Sequence, residues 1–108
     1  MNRPSIVEWA PFQLRGGASE AELFEASGQI QEEFLSRQHG FVRRDLLRWK
    51  NDCWVDIVYW IDRESADAAM KAAAESTVCQ RYFQLMANGD QTSLDPGVLL
   101  FERMASYP

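Results

Sequence analysis

The spacing of apolar and polar residues along the chain changes between a strand-like and a helix-like repeat. Residues 5–13 (SIVEWAPFQ) alternate imperfectly and predict a first strand. Residues 41–51 and 53–61 predict a hairpin with its turn at residues 51–52, although the turn lacks the glycine of the commonest tight turns. Residues 98–104 predict the last strand. The chain therefore supplies four strands, separated by segments of helical character.

Three helices are predicted from apolar spacing and from residues that cap helix N-termini. Ser19 begins the first helix, and Glu22 completes a capping box, in which each side chain accepts a hydrogen bond from the other residue's backbone. Asp62 precedes the second helix, which is rich in alanine and can therefore approach its neighbours closely. A third, shorter helix begins at Thr77 and is expected to stop at residues 88–89.

The order of these elements predicts an α+β protein, with one ferredoxin-like βαββαβ domain over residues 1–108. Such a domain has a four-stranded antiparallel sheet with its helices on one face. The other face would leave a large apolar patch in water unless something covers it. A second copy of the sheet is the simplest cover, so we expect a homodimer formed by sheet-on-sheet packing.

Composition and charge disfavour some classes of binding partner and predict a location for this domain. The chain has 108 residues, of which 46% are hydrophobic, and its formal net charge is −5. Nucleic-acid binding is disfavoured because it needs clustered positive charge. No segment approaches the roughly 20 apolar residues of a membrane span. The N-terminus lacks the apolar core of a signal peptide, so we expect a cytoplasmic protein that binds neither nucleic acid nor membrane.

The predicted hairpin places charged residues among aromatic ones. A two-residue turn would pair Trp49 with Trp54 and would bring Arg43 opposite Trp60, on the face that also carries Asp56. A buried carboxylate there must be paired or solvated. Either a bridge from Arg43 to a carboxylate fixes the fold, or Trp60 and Asp56 line a ligand cavity. The opposite face would carry Val42, Arg44, Leu46, Arg48, Val55, Ile57, Tyr59 and Ile61.

Three segments carry a resemblance to a known family: the hairpin strands at residues 40–48 (GFVRRDLLR) and 54–60 (WVDIVYW), and the short aromatic helix at 79–85 (CQRYFQL). Over residues 5–105 the chain resembles the antibiotic-biosynthesis-monooxygenase-like branch of the dimeric α+β barrel proteins. The resemblance implies a ferredoxin-like fold and a dimer. It does not select one activity, because the superfamily includes monooxygenases, haem-degrading enzymes, isomerases and decarboxylases.

The resemblance also implies a site. The cofactor-free monooxygenases of this family have a tryptophan at the end of the third strand, which Trp60 matches, and an asparagine four residues earlier, where this chain has Asp56. The charge of Asp56 would oppose a phenolate-like anion unless the acid were protonated or paired. Asp56 and Trp60 are the catalytic candidates. Arg43 and Arg81, together with Trp60, are the candidates for holding a small apolar or aromatic ligand.

No cofactor is expected. The haem-degrading branch needs a histidine on the second helical segment, but the single histidine, His39, lies in the loop before the second strand. Cys53 and Cys79 stand apart, without the spacing of metal ligands. We therefore expect neither metal nor haem.

Two functions remain open on the sequence. One is a cofactor-independent monooxygenase or an isomerase-like catalyst that deprotonates a small aromatic or polyketide-like substrate. The other is a non-catalytic dimeric binding or stress-associated protein. A ligand cavity with Asp56 facing it would favour the enzyme, and a filled core with Asp56 bridged to Arg43 would favour the binding protein.

Overall fold

The computed structural model describes residues 4–87 and 98–108. Across these residues the elements follow the predicted order, with one added 3₁₀-helix after the first α-helix. The third α-helix ends earlier than predicted, and residues 88–89, expected to stop it, lie outside the described part. The elements are β1 (Ile6–Gln13), α1 (Glu20–Glu33), the 3₁₀-helix (Leu35–Arg37), β2 (Phe41–Lys50), β3 (Cys53–Trp60), α2 (Arg63–Ala73), α3 (Thr77–Phe83) and β4 (Leu99–Glu102).

The four strands form one sheet in the order β2-β3-β1-β4. Every pair of neighbouring strands is antiparallel. The predicted ferredoxin-like α+β fold is therefore confirmed. The fourth strand ends at Glu102, two residues before its predicted end.

The helices begin where the capping residues predict. The Ser19 hydroxyl accepts a hydrogen bond from the Glu22 amide at 3.1 Å, and the Glu22 carboxylate accepts one from the Ser19 amide at 2.9 Å. The Asp62 carboxylate accepts from the Ser65 amide at 2.8 Å. These bonds satisfy first-turn amides that have no partner within a helix. Across the described residues, none of the helices combines the length and the apolar character needed to cross a membrane.

The hairpin register differs from the predicted one, which is therefore wrong. Trp54 lies opposite Arg48 instead of Trp49, because β2 is irregular just before the turn and again just after its first residue. An extra residue at such a bulge shifts the pairing by one position. Because strand side chains alternate, that shift moves the central side chains of β2 to the other face of the sheet.

The two faces of the sheet therefore carry different residues from those expected on β2. We call the side packed against the helices the helix face and the other side the open face. Arg43 was predicted beside Asp56 and lies on the open face, whereas Arg44 was predicted on the opposite side and lies on the helix face. The helix face carries Ile6, Glu8, Ala10, Phe12, Phe41, Arg44, Leu46, Arg48, Trp54, Asp56, Val58, Trp60, Leu100 and Glu102. The open face carries Val7, Trp9, Pro11, Arg43, Asp45, Leu47, Val55, Ile57, Tyr59, Leu99 and Phe101.

The main core lies between the helix face and the three α-helices. Small side chains on α2, at Ala66 and Ala69, are buried and allow that helix to lie close to its neighbours. The other buried helix residues in this core are Leu23, Ala26 and Ile30 from α1 and Cys79 and Tyr82 from α3.

Candidate active site

A buried polar cluster lies inside the domain, centred on Asp56 in the middle of β3. Asp56 is only 6% exposed. Its Oδ1 accepts a hydrogen bond from the Arg44 Nε at 2.8 Å, and its Oδ2 accepts one from the Tyr82 hydroxyl at 2.5 Å. Both carboxylate oxygens are therefore occupied by protein partners, as a buried carboxylate requires.

Each side-chain nitrogen of Arg44 donates a hydrogen bond. Its Nη2 donates to the Ser27 hydroxyl at 2.8 Å and to the Tyr82 hydroxyl at 3.0 Å, and its Nη1 donates to the Ser27 carbonyl at 3.2 Å. Burial opposes the charge of the guanidinium, but Asp56 and Tyr82 outweigh that effect, so the pKa of Arg44 is raised. The arginine therefore stays charged and ties β2 to β3, α1 and α3.

Tyr82 completes the cluster from α3. It is almost fully buried, and burial raises the pKa of its hydroxyl well above the ordinary value, with the adjacent Asp56 adding to the rise. The hydroxyl therefore remains protonated and acts as a donor to the carboxylate. The Phe12 ring packs edge-on against Tyr82, with ring centroids 6.0 Å apart.

Trp60 lies on the same face, at the end of β3. Its side chain is 1% exposed, so protein atoms enclose the indole and do not leave the open edge that its position at a strand end favours. The Phe41 ring packs edge-on against it at 5.8 Å between centroids. The indole N–H donates to the Glu8 Oε1 at 3.1 Å. Trp60 therefore presents its polar edge to a carboxylate of the central strand β1.

Glu8 is a second acid on the helix face, where it pairs with Val58, two residues along β3 from Asp56. Burial raises the pKa of Glu8, and the nearby charge of Asp56 adds to the rise, while the Trp60 indole and the charge of Arg44 partly offset it. Unlike Asp56, Glu8 keeps part of its surface exposed. The sheet thus presents two inward carboxylates in different environments.

The other two predicted site residues lie elsewhere. Arg43 binds Asp45 at 2.7 Å on the open face and lies over the Tyr59 ring, so the expected bridge between Arg43 and Asp56 is replaced by one from Arg44. Arg81 is exposed on α3 and donates to the side-chain oxygen of Gln29 at 3.1 Å. The structure therefore brings Asp56 and Trp60 to one face but does not bring either arginine to them.

Sequence reasoning missed Glu8, Arg44 and Tyr82. Glu8 is the only charged residue in a strand whose other residues are mostly apolar, and that signal could have marked it as a site candidate. Arg44 could not be found, because the bulge that turns it inward leaves no clear trace in the sequence. Among the described residues, no three His, Cys, Asp or Glu side chains come together as a set of metal ligands.

A separate groove of about 670 Å³ lies at the hairpin end of the sheet. It is lined mainly by apolar residues, among them Trp9, Leu47 and Trp49. Trp54 also contributes to the lining, and its buried indole N–H has no hydrogen-bond partner within the described part of the chain. The groove therefore extends the exposed apolar surface of the open face toward the hairpin turn.

No protein-family model and no curated protein matches this chain. Among solved structures, the cofactor-independent oxygenase SnoaB of Streptomyces nogalater is similar at a TM-score of 0.75 and 23% identity, covering 98% of this chain and 99% of that chain. A Streptomyces coelicolor monooxygenase in complex with nanaomycin D has a TM-score of 0.66 and 19% identity, over 97% of this chain and 93% of that chain.

A third solved structure, a dimeric ferredoxin-like protein from an uncultured marine organism, has a TM-score of 0.60 and 10% identity, over 99% of this chain and 94% of that chain. All three similarities extend over nearly the whole chain. The resemblance inferred from the sequence is thus confirmed at the level of the fold: this chain has the ferredoxin-like fold of the antibiotic-biosynthesis-monooxygenase-like proteins.

Proposed function

We propose that this protein is a homodimeric, cofactor-independent monooxygenase that acts on a small aromatic or polyketide-like substrate bound between the helix face and the helices. The observation that carries the proposal is the pair of inward carboxylates, Glu8 and Asp56, beside Trp60 on the helix face. Buried acids are costly for a purely structural core, and groups in such environments are concentrated at functional sites.

The charge balance of this interior suits an anionic intermediate. A carboxylate at position 56 would repel a substrate anion if it stood alone. Arg44 lies 2.8 Å from Asp56 and makes the pair neutral overall, so the pair does not repel a substrate anion as a lone carboxylate would. The neutral pair therefore favours a substrate that loses a proton before it reacts with dioxygen.

The proposed reaction needs no bound cofactor when the substrate anion itself reduces dioxygen. An anthrone, for example, becomes a quinone as one dioxygen is consumed and one water is released. The protein would bind the flat ring system, remove the proton and exclude bulk water.

The homodimer is proposed from the open face. Trp9 is 40% exposed there, and Leu99 and Phe101 are each 49% exposed. An apolar sheet face of this kind is unusual on a monomer. A second copy of the same face supplies a self-complementary cover around a two-fold axis. One structure of similar fold is described as dimeric, which supports this assembly.

Oxygen uptake tests the activity. Dithranol, a dihydroxylated anthrone, is added to the protein in a closed oxygen electrode, and its slow spontaneous oxidation is subtracted. We expect catalytic turnover, with one quinone formed for each dioxygen consumed. Uptake no faster than the protein-free rate, with dithranol and with a panel of naphthols and anthrones, would contradict the proposed monooxygenase.

A non-catalytic binding protein is the second candidate, and two observations favour it. Both oxygens of Asp56 are already occupied, and Trp60 is enclosed. Nanaomycin D separates the two candidates, because it tests binding without requiring turnover. Saturable binding of nanaomycin D with no oxygen uptake on any of the phenolic substrates would assign this chain to the binding class.

A further inference from the structure

We propose that Glu8, and not Asp56, is the group that takes the proton from the substrate, and that the indole N–H of Trp60 positions its carboxylate. This inference rests on the proposed function and names the base of that reaction. It reassigns Trp60 from direct contact with the substrate to a positioning role, which agrees with its enclosed indole ring.

The first support is the number of partners on each carboxylate. Asp56 accepts hydrogen bonds on both oxygens, from Arg44 and from Tyr82. A proton could reach Asp56 only if one of these bonds broke. Glu8 accepts one hydrogen bond, from Trp60 to Oε1, and no residue in the described part of the chain donates to Oε2. Glu8 therefore has a free oxygen that is held in a fixed orientation by its partner.

The second support is access. Asp56 is 6% exposed, and Tyr82, which covers one of its oxygens, is 2% exposed. Glu8 remains partly exposed, although it lies on the same face. Glu8 is therefore the more exposed of the two inward acids, and a ligand that contacts it need not displace Arg44 or Tyr82 from Asp56.

The charged and titratable groups around Glu8 suit a base. Asp56 from β3, Arg44 from β2 and Tyr82 from α3 make up the neighbouring cluster, and the acids and bases of α2 (Arg63, Glu64, Asp67 and Lys71) are exposed. Glu102 shares the helix face on β4 and is exposed. Because burial raises the pKa of Glu8, its charged form binds a proton more strongly than an ordinary glutamate does.

The proton step breaks one bond of the substrate and forms one bond to Glu8. In an anthrone, a C–H bond of the methylene between the two aromatic rings breaks, and the proton moves to Oε2 of Glu8. The electron pair of that bond stays on the substrate and spreads to its carbonyl oxygen. The Trp60 indole keeps its hydrogen bond to Oε1 throughout. Dioxygen takes part only after this step, in the oxidation proposed above.

Hydrogen exchange measures the step without oxygen. Dithranol is incubated with the protein in D₂O under nitrogen, and loss of the methylene proton is followed by NMR. We expect Glu8→Gln to slow the protein-catalysed exchange by about 100-fold, a typical loss for a missing general base. Glu102→Gln is the matched control, because Glu102 is a glutamate of β4 on the same face of the sheet as Glu8. This variant should catalyse exchange at the wild-type rate.

The role of Trp60 has its own signature. Trp60→Phe removes the hydrogen bond that holds down the pKa of Glu8, so the pH dependence of exchange should move to higher pH. A merely structural role would lower the rate without moving the profile. A folded Trp60→Phe protein with the wild-type profile would overturn the positioning role.

The outcomes also separate this inference from the proposed monooxygenase. Exchange that depends on Glu8 but is not accompanied by oxygen uptake would leave Glu8 as a base and reject the monooxygenase. Oxygen uptake and exchange that both survive Glu8→Gln would keep the monooxygenase and reject Glu8. A wild-type protein that does not catalyse the exchange would also reject Glu8 as the base.

Discussion

Two neighbouring arginines on β2 show how differently the two faces of this sheet are built. Arg44 points to the helix face, where its side chain is 6% exposed and binds a carboxylate that is also buried. Arg43 points to the open face, where its side chain is 61% exposed and binds Asp45, which is also partly exposed. One ion pair is part of a closed interior network and the other is a surface pair. The proposed reaction belongs to the helix face, and the proposed dimer contact belongs to the open face.

Removing the buried arginine should cause the largest loss in the free energy of unfolding. Arg44→Met leaves Asp56 buried with one partner, Tyr82, and should lower the free energy of unfolding by about 3–5 kcal/mol. Arg63→Met on α2 is the control and should change stability little, because its ion pair with Asp67 is exposed and lies on the helical side, away from the proposed dimer contact. Urea unfolding at one protein concentration measures both. Equal losses in the two variants would contradict the difference between the buried and the exposed ion pair.

A charge on the open face should weaken the dimer. Trp9→Glu puts an acid on the central strand of the proposed interface, and we expect the dissociation constant of the dimer to rise about 100-fold, or about 2.7 kcal/mol. Phe24→Glu on α1 is the control, since Phe24 is 53% exposed on the helical side of the domain. Sedimentation equilibrium reads out both variants. A wild-type protein that remains a 12 kDa monomer at micromolar concentration would remove the proposed assembly.

Trp60→Phe tests how tightly the interior is packed. Because the indole is 1% exposed, the smaller ring should leave a void and lower stability by about 1–3 kcal/mol. Thermal and urea unfolding measure the loss. An unchanged stability, together with weaker binding of nanaomycin D, would show instead that the indole ring faces a ligand.

The smallest effect is a pH-dependent one at Glu8. Its pKa in the folded protein is raised from an ordinary value of 4.5, so below that pH both the folded and the unfolded states carry the proton. As the pH rises, the unfolded state loses the proton first, and the folded wild-type protein loses stability until the raised pKa is passed. Glu8→Gln should therefore be more stable than the wild type at neutral pH. The difference should vanish at acidic pH.

Chemical unfolding at a series of pH values shows that difference directly. Glu102→Gln, an exposed glutamate on the same face, provides the baseline. A stability gain in Glu8→Gln that stays constant from acidic to neutral pH would contradict the raised pKa of Glu8.

The fold was accessible from the sequence because its signals are local. The capping box at Ser19 and Glu22 depends on residues three apart, and so does the bond from Asp62 to the Ser65 amide. The pairing of Asp56 and Trp60 on one face was also predictable, since residues four apart in a strand point the same way.

The rest of the site depends on strand pairing and on contacts between residues that are far apart in the sequence. Whether Arg43 or Arg44 faces inward is decided by irregular pairing near both ends of β2, and strict alternation from the turn selects the wrong one. The contact of Tyr82 with Asp56 joins residues from α3 and β3, which only the packed structure brings together. Glu8 left a weak signal, as an acid in an apolar strand, but its indole partner comes from another strand.

The tryptophans offer the most direct test of the division between the faces. The chain has four of them, with Trp60 on the helix face and Trp9 on the open face. Their indole N–H signals can be assigned by single substitutions to phenylalanine and followed by NMR during titration with nanaomycin D. We expect the Trp60 signal to shift with saturation while the Trp9 signal stays in place. A saturable shift of Trp9 with no change at Trp60 would show that the ligand binds the open face, and would contradict the proposed site.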